Sequence, residues 1–152
     1  MDDLYHPRIL ELAADIPHLG RLADAHGSAT KVSRVCGSVV TVDVRLRGDV
    51  IEAVGVEPKA CALGQASAAI LAREAPGATV AEITEALQGL RAMLKEGAPP
   101  PKGRFWELRH LEGVRGYPPR HASTLLAFEA CVAAIEAAQA VPSPVPVGRE
   151  PG

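Results

Sequence analysis

Two cysteines, Cys36 and Cys61, stand with 24 residues between them in a chain that holds only three. Cys36 lies in Arg34-Val35-Cys36-Gly37-Ser38, next to a strand-like run. Cys61 lies in Lys59-Ala60-Cys61-Ala62-Leu63-Gly64, where a strand gives way to a helix. A cysteine in mid-helix is usually a small apolar filler, whereas thiols at loop ends and helix starts tend to react or to ligate metals. At a helix start, free amides and the helix dipole stabilise the thiolate. Cys131, among alanines in a helical stretch, reads as core filler. Three reduced thiols in a chain of cytoplasmic character argue for chemistry or ligation rather than a disulfide framework.

The composition narrows the partners. The 152 residues suit one domain that buries its own core, and 47 % of them are hydrophobic. The net charge of −2 and the lack of a lysine/arginine cluster argue against nucleic acid and anionic membranes. No apolar run is expected to reach the length of a membrane span, and the acidic N-terminus lacks a signal-peptide core.

The elements that must position the thiols follow from periodicity. Asp2 and Asp3 are expected to cap a first helix carrying Leu4, Ile9, Leu10 and Leu12, which starts near Pro7 and ends by Pro17 and Gly20. Residues 21–29 read as loop. Ser38 to Leu46 alternates, with Val40, Val42, Val44 and Leu46 on one face and Thr41, Asp43 and Arg45 on the other. Arg47-Gly48-Asp49 turns the chain into an antiparallel return over Val50–Val56, and Thr30–Val35 adds a third strand. An alanine-rich helix runs from Ala62 to Ala75. Thr79 with Glu82 forms a capping-box pattern that opens the next helix, over Val80, Ile83, Leu87, Leu90 and Leu94. After a proline-rich loop, Phe105 and Trp106 are expected to anchor a short helical segment on the core. A last helix, near Arg120 to Ala140, carries Leu125, Leu126, Phe128, Val132 and Ile135. Strands and helices in separate runs imply an α+β fold: a three-stranded antiparallel sheet packed on one face by helices. Residues 1–140 are read as the domain and 141–152 as a disordered tail.

These residues, in this order, resemble the NifU N-terminal/IscU-type iron–sulfur cluster scaffold family. Leu4-Tyr5 with Asp15-Ile16-Pro17 and Gly20 resembles its opening helix and turn. Cys36-Gly37 resembles its Cys-Gly-Asp, and Cys61 with Ala66-Ser67-Ala68 its second cysteine and following helix. Tyr117-Pro118-Pro119-Arg120 with Leu126-Ala127 resembles the stretch around its third cysteine, and the insert before Tyr117 is similar to the SufU branch. Ser38 stands where the family has aspartate, Ser123 where it has the third cysteine, and Ala122 where the IscU branch has histidine.

The resemblance implies a scaffold or carrier rather than a catalyst. Its cargo would be an iron–sulfur cluster of the [2Fe–2S] type, iron, or alternatively zinc, held by Cys36 and Cys61. His121 is a possible further ligand, and Ser123 and Ser38 are weak ones, since neutral hydroxyls bind these metals poorly. Lys59 and Arg120 are candidate positive charges beside the thiols. A [2Fe–2S] cluster takes four ligands, so two chains could share one; a mononuclear zinc could take Cys36, Cys61, His121 and a water or Ser38. The implied partners are a cysteine desulfurase and other assembly proteins, with the chain a monomer or homodimer. The alternatives are a zinc-dependent sulfur acceptor of the SufU type, an adaptor that binds no metal, and two small residues that merely pack together.

Overall fold

The computed structural model describes residues 6–140. The expectations placed on Asp2, Asp3 and Leu4 and on the tail 141–152 lie outside them. Helix α1 (Pro7–Ala14) starts at a proline in its first turn, and the His6 ring accepts the Arg8 N–H as N-cap. It buries Ile9 and Leu12, while Leu10, expected as an anchor, faces solvent.

The sheet runs β1 (Gly27–Ser33), β2 (Ser38–Arg47), β3 (Val50–Lys59), in that order and antiparallel throughout. Val40, Val42 and Val44 are fully buried beneath the helices, as the alternation requires. Several strand limits differ from expectation, and β1 ends at Ser33, which leaves Val35 in the turn. β1 begins at Gly27, inside the stretch read as loop, because Gly27 meets the backbone of the last helix with no space for a side chain. β3 continues to Lys59 through Pro58, which an edge strand tolerates on its unpaired side. That extension carries the chain directly to Cys61.

Helices α2 (Ala62–Glu74), α3 (Val80–Glu96) and α4 (His121–Ala140) complete the core with a 3-10 segment, Gly103–Gly116, and a short 3-10 turn, Pro118–Arg120. The Thr79/Glu82 capping box forms with both of its hydrogen bonds, and Gly97 ends α3 in the left-handed conformation. In the Gly103–Gly116 segment, Phe105, Leu108, Leu111 and Val114 are buried at a spacing of three. That is the repeat of a 3-10 helix, which stacks every third side chain. Phe105 docks edge-on against Phe128 at 5.6 Å between ring centroids. Trp106 does not dock with it: it is 46 % exposed, with the Arg109 guanidinium over its ring.

α4 packs across β1 and β2 and against α2 and α3. With the preceding turn it forms a continuous helical run, Pro118–Ala140, long and apolar enough to cross a bilayer by length and composition. This corrects the expectation that no run reaches that length. The apolarity has a local cause, since the helix touches protein on several sides and is mostly buried.

Candidate functional site

Cys36 sits in the four-residue turn between β1 and β2. Gly37 adopts φ +74°, which a residue with a side chain resists, and its N–H closes the turn on the Ser33 carbonyl at 2.8 Å. Ser33 and Ser38 are direct cross-strand partners at the base of this turn, and both are buried. The turn is exposed, with Val35 73 % accessible at its tip and Cys36 itself exposed. Its Sγ lies 3.1 Å from the Ser38 hydroxyl and 3.5 Å from that of Ser33.

Cys61 is the N-cap residue of α2, and its side chain makes no capping hydrogen bond. Its Sγ instead lies 3.6 Å from the hydroxyl of Ser123, in the first turn of α4. Gly64 allows this approach. A Cβ there would stand 2.7 Å from the Ala60 Cβ and 3.2 Å from the Ser123 carbonyl oxygen. Ser123 is fully buried, also reaches the Arg120 carbonyl, and helps to lower the Cys36 pKa. This hydroxyl thus touches the Cys61 sulfur and acts on the Cys36 thiol as well.

Burial pushes the Cys36 thiol up, but hydrogen bonds to its sulfur outweigh that effect. The Ser33 and Ser38 hydroxyls, the Ser38 backbone and the Ser123 hydroxyl together bring its pKa down to about 7. Hydroxyls that donate to sulfur favour the thiolate, so near neutral pH a large share of Cys36 is a nucleophile. The main contributions come from serines rather than from Lys59 or Arg120. Cys131 is fully buried, and burial pushes its thiol up to about 12, in keeping with a filler role.

His121 is not part of this cluster. Its ring is 6 % exposed, and Nε2 lies 3.0 Å from the Val114 carbonyl and 3.1 Å from that of Arg115. The ring ties the start of α4 to the end of the 3-10 segment. Among the described residues, no three histidine, cysteine, aspartate or glutamate side chains gather as a metal site. The expected set of Cys36, Cys61 and His121 on one zinc therefore does not form within this chain. Ser38 and Ser123 do meet the thiols, and Ser33 joins them without having been singled out from sequence. Its signal was positional, since it mirrors Ser38 across a turn that holds a cysteine.

With this geometry described, comparison with known proteins is informative. The profile of the NifU-like N terminal domain matches residues 4–103. The chain belongs to this family. This NifU-like chain carries one cysteine in the turn between β1 and β2 and one at the start of α2. Among solved structures, the N-terminal part of a nitrogen-fixing NifU-like protein from Brucella abortus is 45 % identical, with a TM-score of 0.89. That match covers 91 % of this chain and 96 % of the other. A protein from Fervidobacterium islandicum AW-1, described as a candidate iron–sulfur cluster assembly scaffold for the SUF system, shares the fold. It is 24 % identical, with a TM-score of 0.81, over 88 % of this chain and 98 % of that one. A comparison with curated proteins found no match.

Proposed function

We propose that this NifU-like chain is an iron–sulfur assembly scaffold or carrier that holds its cargo through Cys36 and Cys61. The observation that supports this reading is the Ser123 hydroxyl, which lies 3.6 Å from the Cys61 sulfur and helps to lower the Cys36 pKa. The cargo is a [2Fe–2S] cluster or iron, with zinc as the alternative. Each of these takes about four ligands, of which this chain supplies two strong ones. The remaining ligands come from a second chain, a partner protein or a small thiol. A cysteine desulfurase is the partner that family membership suggests as sulfur source.

Anaerobic reconstitution with iron and sulfide tests this. Visible charge-transfer bands should appear in the wild-type protein and vanish in Cys36→Ala and Cys61→Ala. Bands that persist in both variants, or no bands and no bound metal in the wild type, would refute the proposal.

The lowered Cys36 thiol favours a second reading, that of a sulfur acceptor. The Cys36 thiolate attacks the outer sulfur of a donor persulfide. A new S–S bond forms on Cys36, the donor's S–S bond breaks, and the donor leaves as a thiolate, with no net redox change. Mass spectrometry after incubation with desulfurase and cysteine should show one added sulfur on Cys36 and none on Cys131. An unmodified Cys36 would reject this reading.

A further inference from the structure

A second concave region lies where the start of α1, the loop after α3 and the 3-10 segment meet. It encloses about 760 Å³ and is lined by Lys102, Arg109, Arg115, His6 and His110, with Glu112 as its carboxylate. Several arginines elsewhere find acidic partners. Arg8 pairs with Glu107, Arg91 with Glu129 and Arg104 with Glu82. Among the described residues, none of Lys102, Arg109 and Arg115 pairs with a carboxylate. Unpaired cations held around one concavity repel one another, and an anion between them offsets that repulsion.

The groups are also held in place. The Arg109 guanidinium lies 5.3 Å from the centre of the Trp106 ring, and its Nε–H donates to the Trp106 carbonyl at 3.3 Å. The His6 and His110 rings stack at 5.2 Å. His6 Nδ1 accepts the Arg8 N–H, which leaves Nε2 as the ring's donor. Pro99 and Pro100 stiffen the opposite wall. Burial lowers the His110 pKa first, against the Glu107 carboxylate, and the positive field of Arg8 and Arg109 adds to the lowering. Donors fixed before binding lose little entropy when a ligand arrives.

We propose that this cleft binds a small polyanion, phosphate- or polycarboxylate-bearing, through Lys102, Arg109 and Arg115. The cleft is concave and its charged groups converge, which suits a compact ligand better than an extended chain. The site is separate from the thiol cluster, since it shares no residue with it.

Isothermal titration of the full chain with sodium pyrophosphate, and separately with citrate, tests the proposal. Saturable binding of either at one per chain is expected, weaker at high salt. Binding of pyrophosphate alone identifies phosphate chemistry, and binding of citrate alone identifies carboxylate chemistry. Arg109→Ala and Arg115→Ala should each weaken binding about tenfold, while Cys36→Ala should leave it unchanged. Unaltered thermal unfolding of the variants establishes that they fold. No saturable binding of either anion, or binding indifferent to the Lys102→Ala/Arg109→Ala/Arg115→Ala triple variant, overturns the proposal. So does binding of an acidic peptide such as oligoglutamate with neither small anion.

Discussion

Cys36 is ionised by its neighbours rather than by a formal charge. The hydroxyls of Ser33 and Ser38, which face each other across the first hairpin, meet its sulfur, and Ser123 adds to the lowering. Iodoacetamide alkylation of Cys36, followed by mass spectrometry across pH, should therefore show a midpoint near 7, with Cys131 unreactive. Replacing Ser33, Ser38 or Ser123 with alanine should each move the midpoint up towards the ordinary thiol range. A wild-type midpoint in that ordinary range would refute the assignment. The linkage has a definite sign. A thiol pKa lowered in the folded state adds stability above the unfolded thiol's pKa. That stability is lost as pH falls through about 7. Cys36 and Cys61 were legible as a pair because their local sequences place them at a turn and at a helix start. His121 was misplaced because its sequence neighbourhood to Ser123 said nothing of the carbonyls of Val114 and Arg115, which the 3-10 segment brings to its ring.

At the scale of elements, the start of α2 and the start of α4 set the distance between Cys61 and Ser123. Gly64 is the residue that lets them approach, and its replacement gives a test with a diagnostic sign. Alanine in a helix interior is ordinarily favoured over glycine by about 1 kcal/mol. Here the new Cβ would meet the Ala60 Cβ and the Ser123 carbonyl, neither of which can swing away. Overpacking of this kind costs about 1–3 kcal/mol. Gly64→Ala should thus lower the urea midpoint and weaken metal retention together, and a raised midpoint would show that the helices do not meet as described. The main elements were legible because each had a local cause: alternation in Ser38–Leu46, the Thr79/Glu82 box, and the apolar faces of the helices. What the sequence concealed depended on distant parts of the chain. Asp43 was placed on the outer face of the sheet, yet it is 1 % exposed. The strap Gly20–Leu22 crosses it, with Arg21 giving an ion pair at 2.8 Å and the Leu22 N–H a hydrogen bond at 2.9 Å. These contacts, with Ser28, hold the Asp43 carboxyl below the usual range despite its burial. Phe105, Leu108, Leu111 and Val114 did carry a readable period of three, but a proline-rich approach and Gly103 obscured it.

For the whole molecule, the proposed reading has one chain supply two of the four ligands that the cargo takes. No third histidine, cysteine or acidic group joins the two thiols among the described residues, and His121 is engaged with carbonyls. The turn that carries Cys36 stands at the surface with Val35 and Val32 exposed beside it, so a second chain can reach the sulfur without unfolding anything. Zinc, which favours four tetrahedral ligands, reports on how the site is completed. Under reducing conditions without added thiol, the wild-type protein should bind about half an equivalent of zinc per chain. The zinc-bound species should have the native mass of two chains, and chelation should return it to one. Ser123→Cys places a third sulfur at the position that already touches Cys61 and acts on Cys36. With three thiolates and a water completing the tetrahedron, this variant should bind one equivalent per chain and remain a single chain. Native mass spectrometry distinguishes the two cases directly. A wild-type chain that binds a full equivalent of zinc as a monomer would contradict the half-site. It would require a ligand that these contacts do not contain.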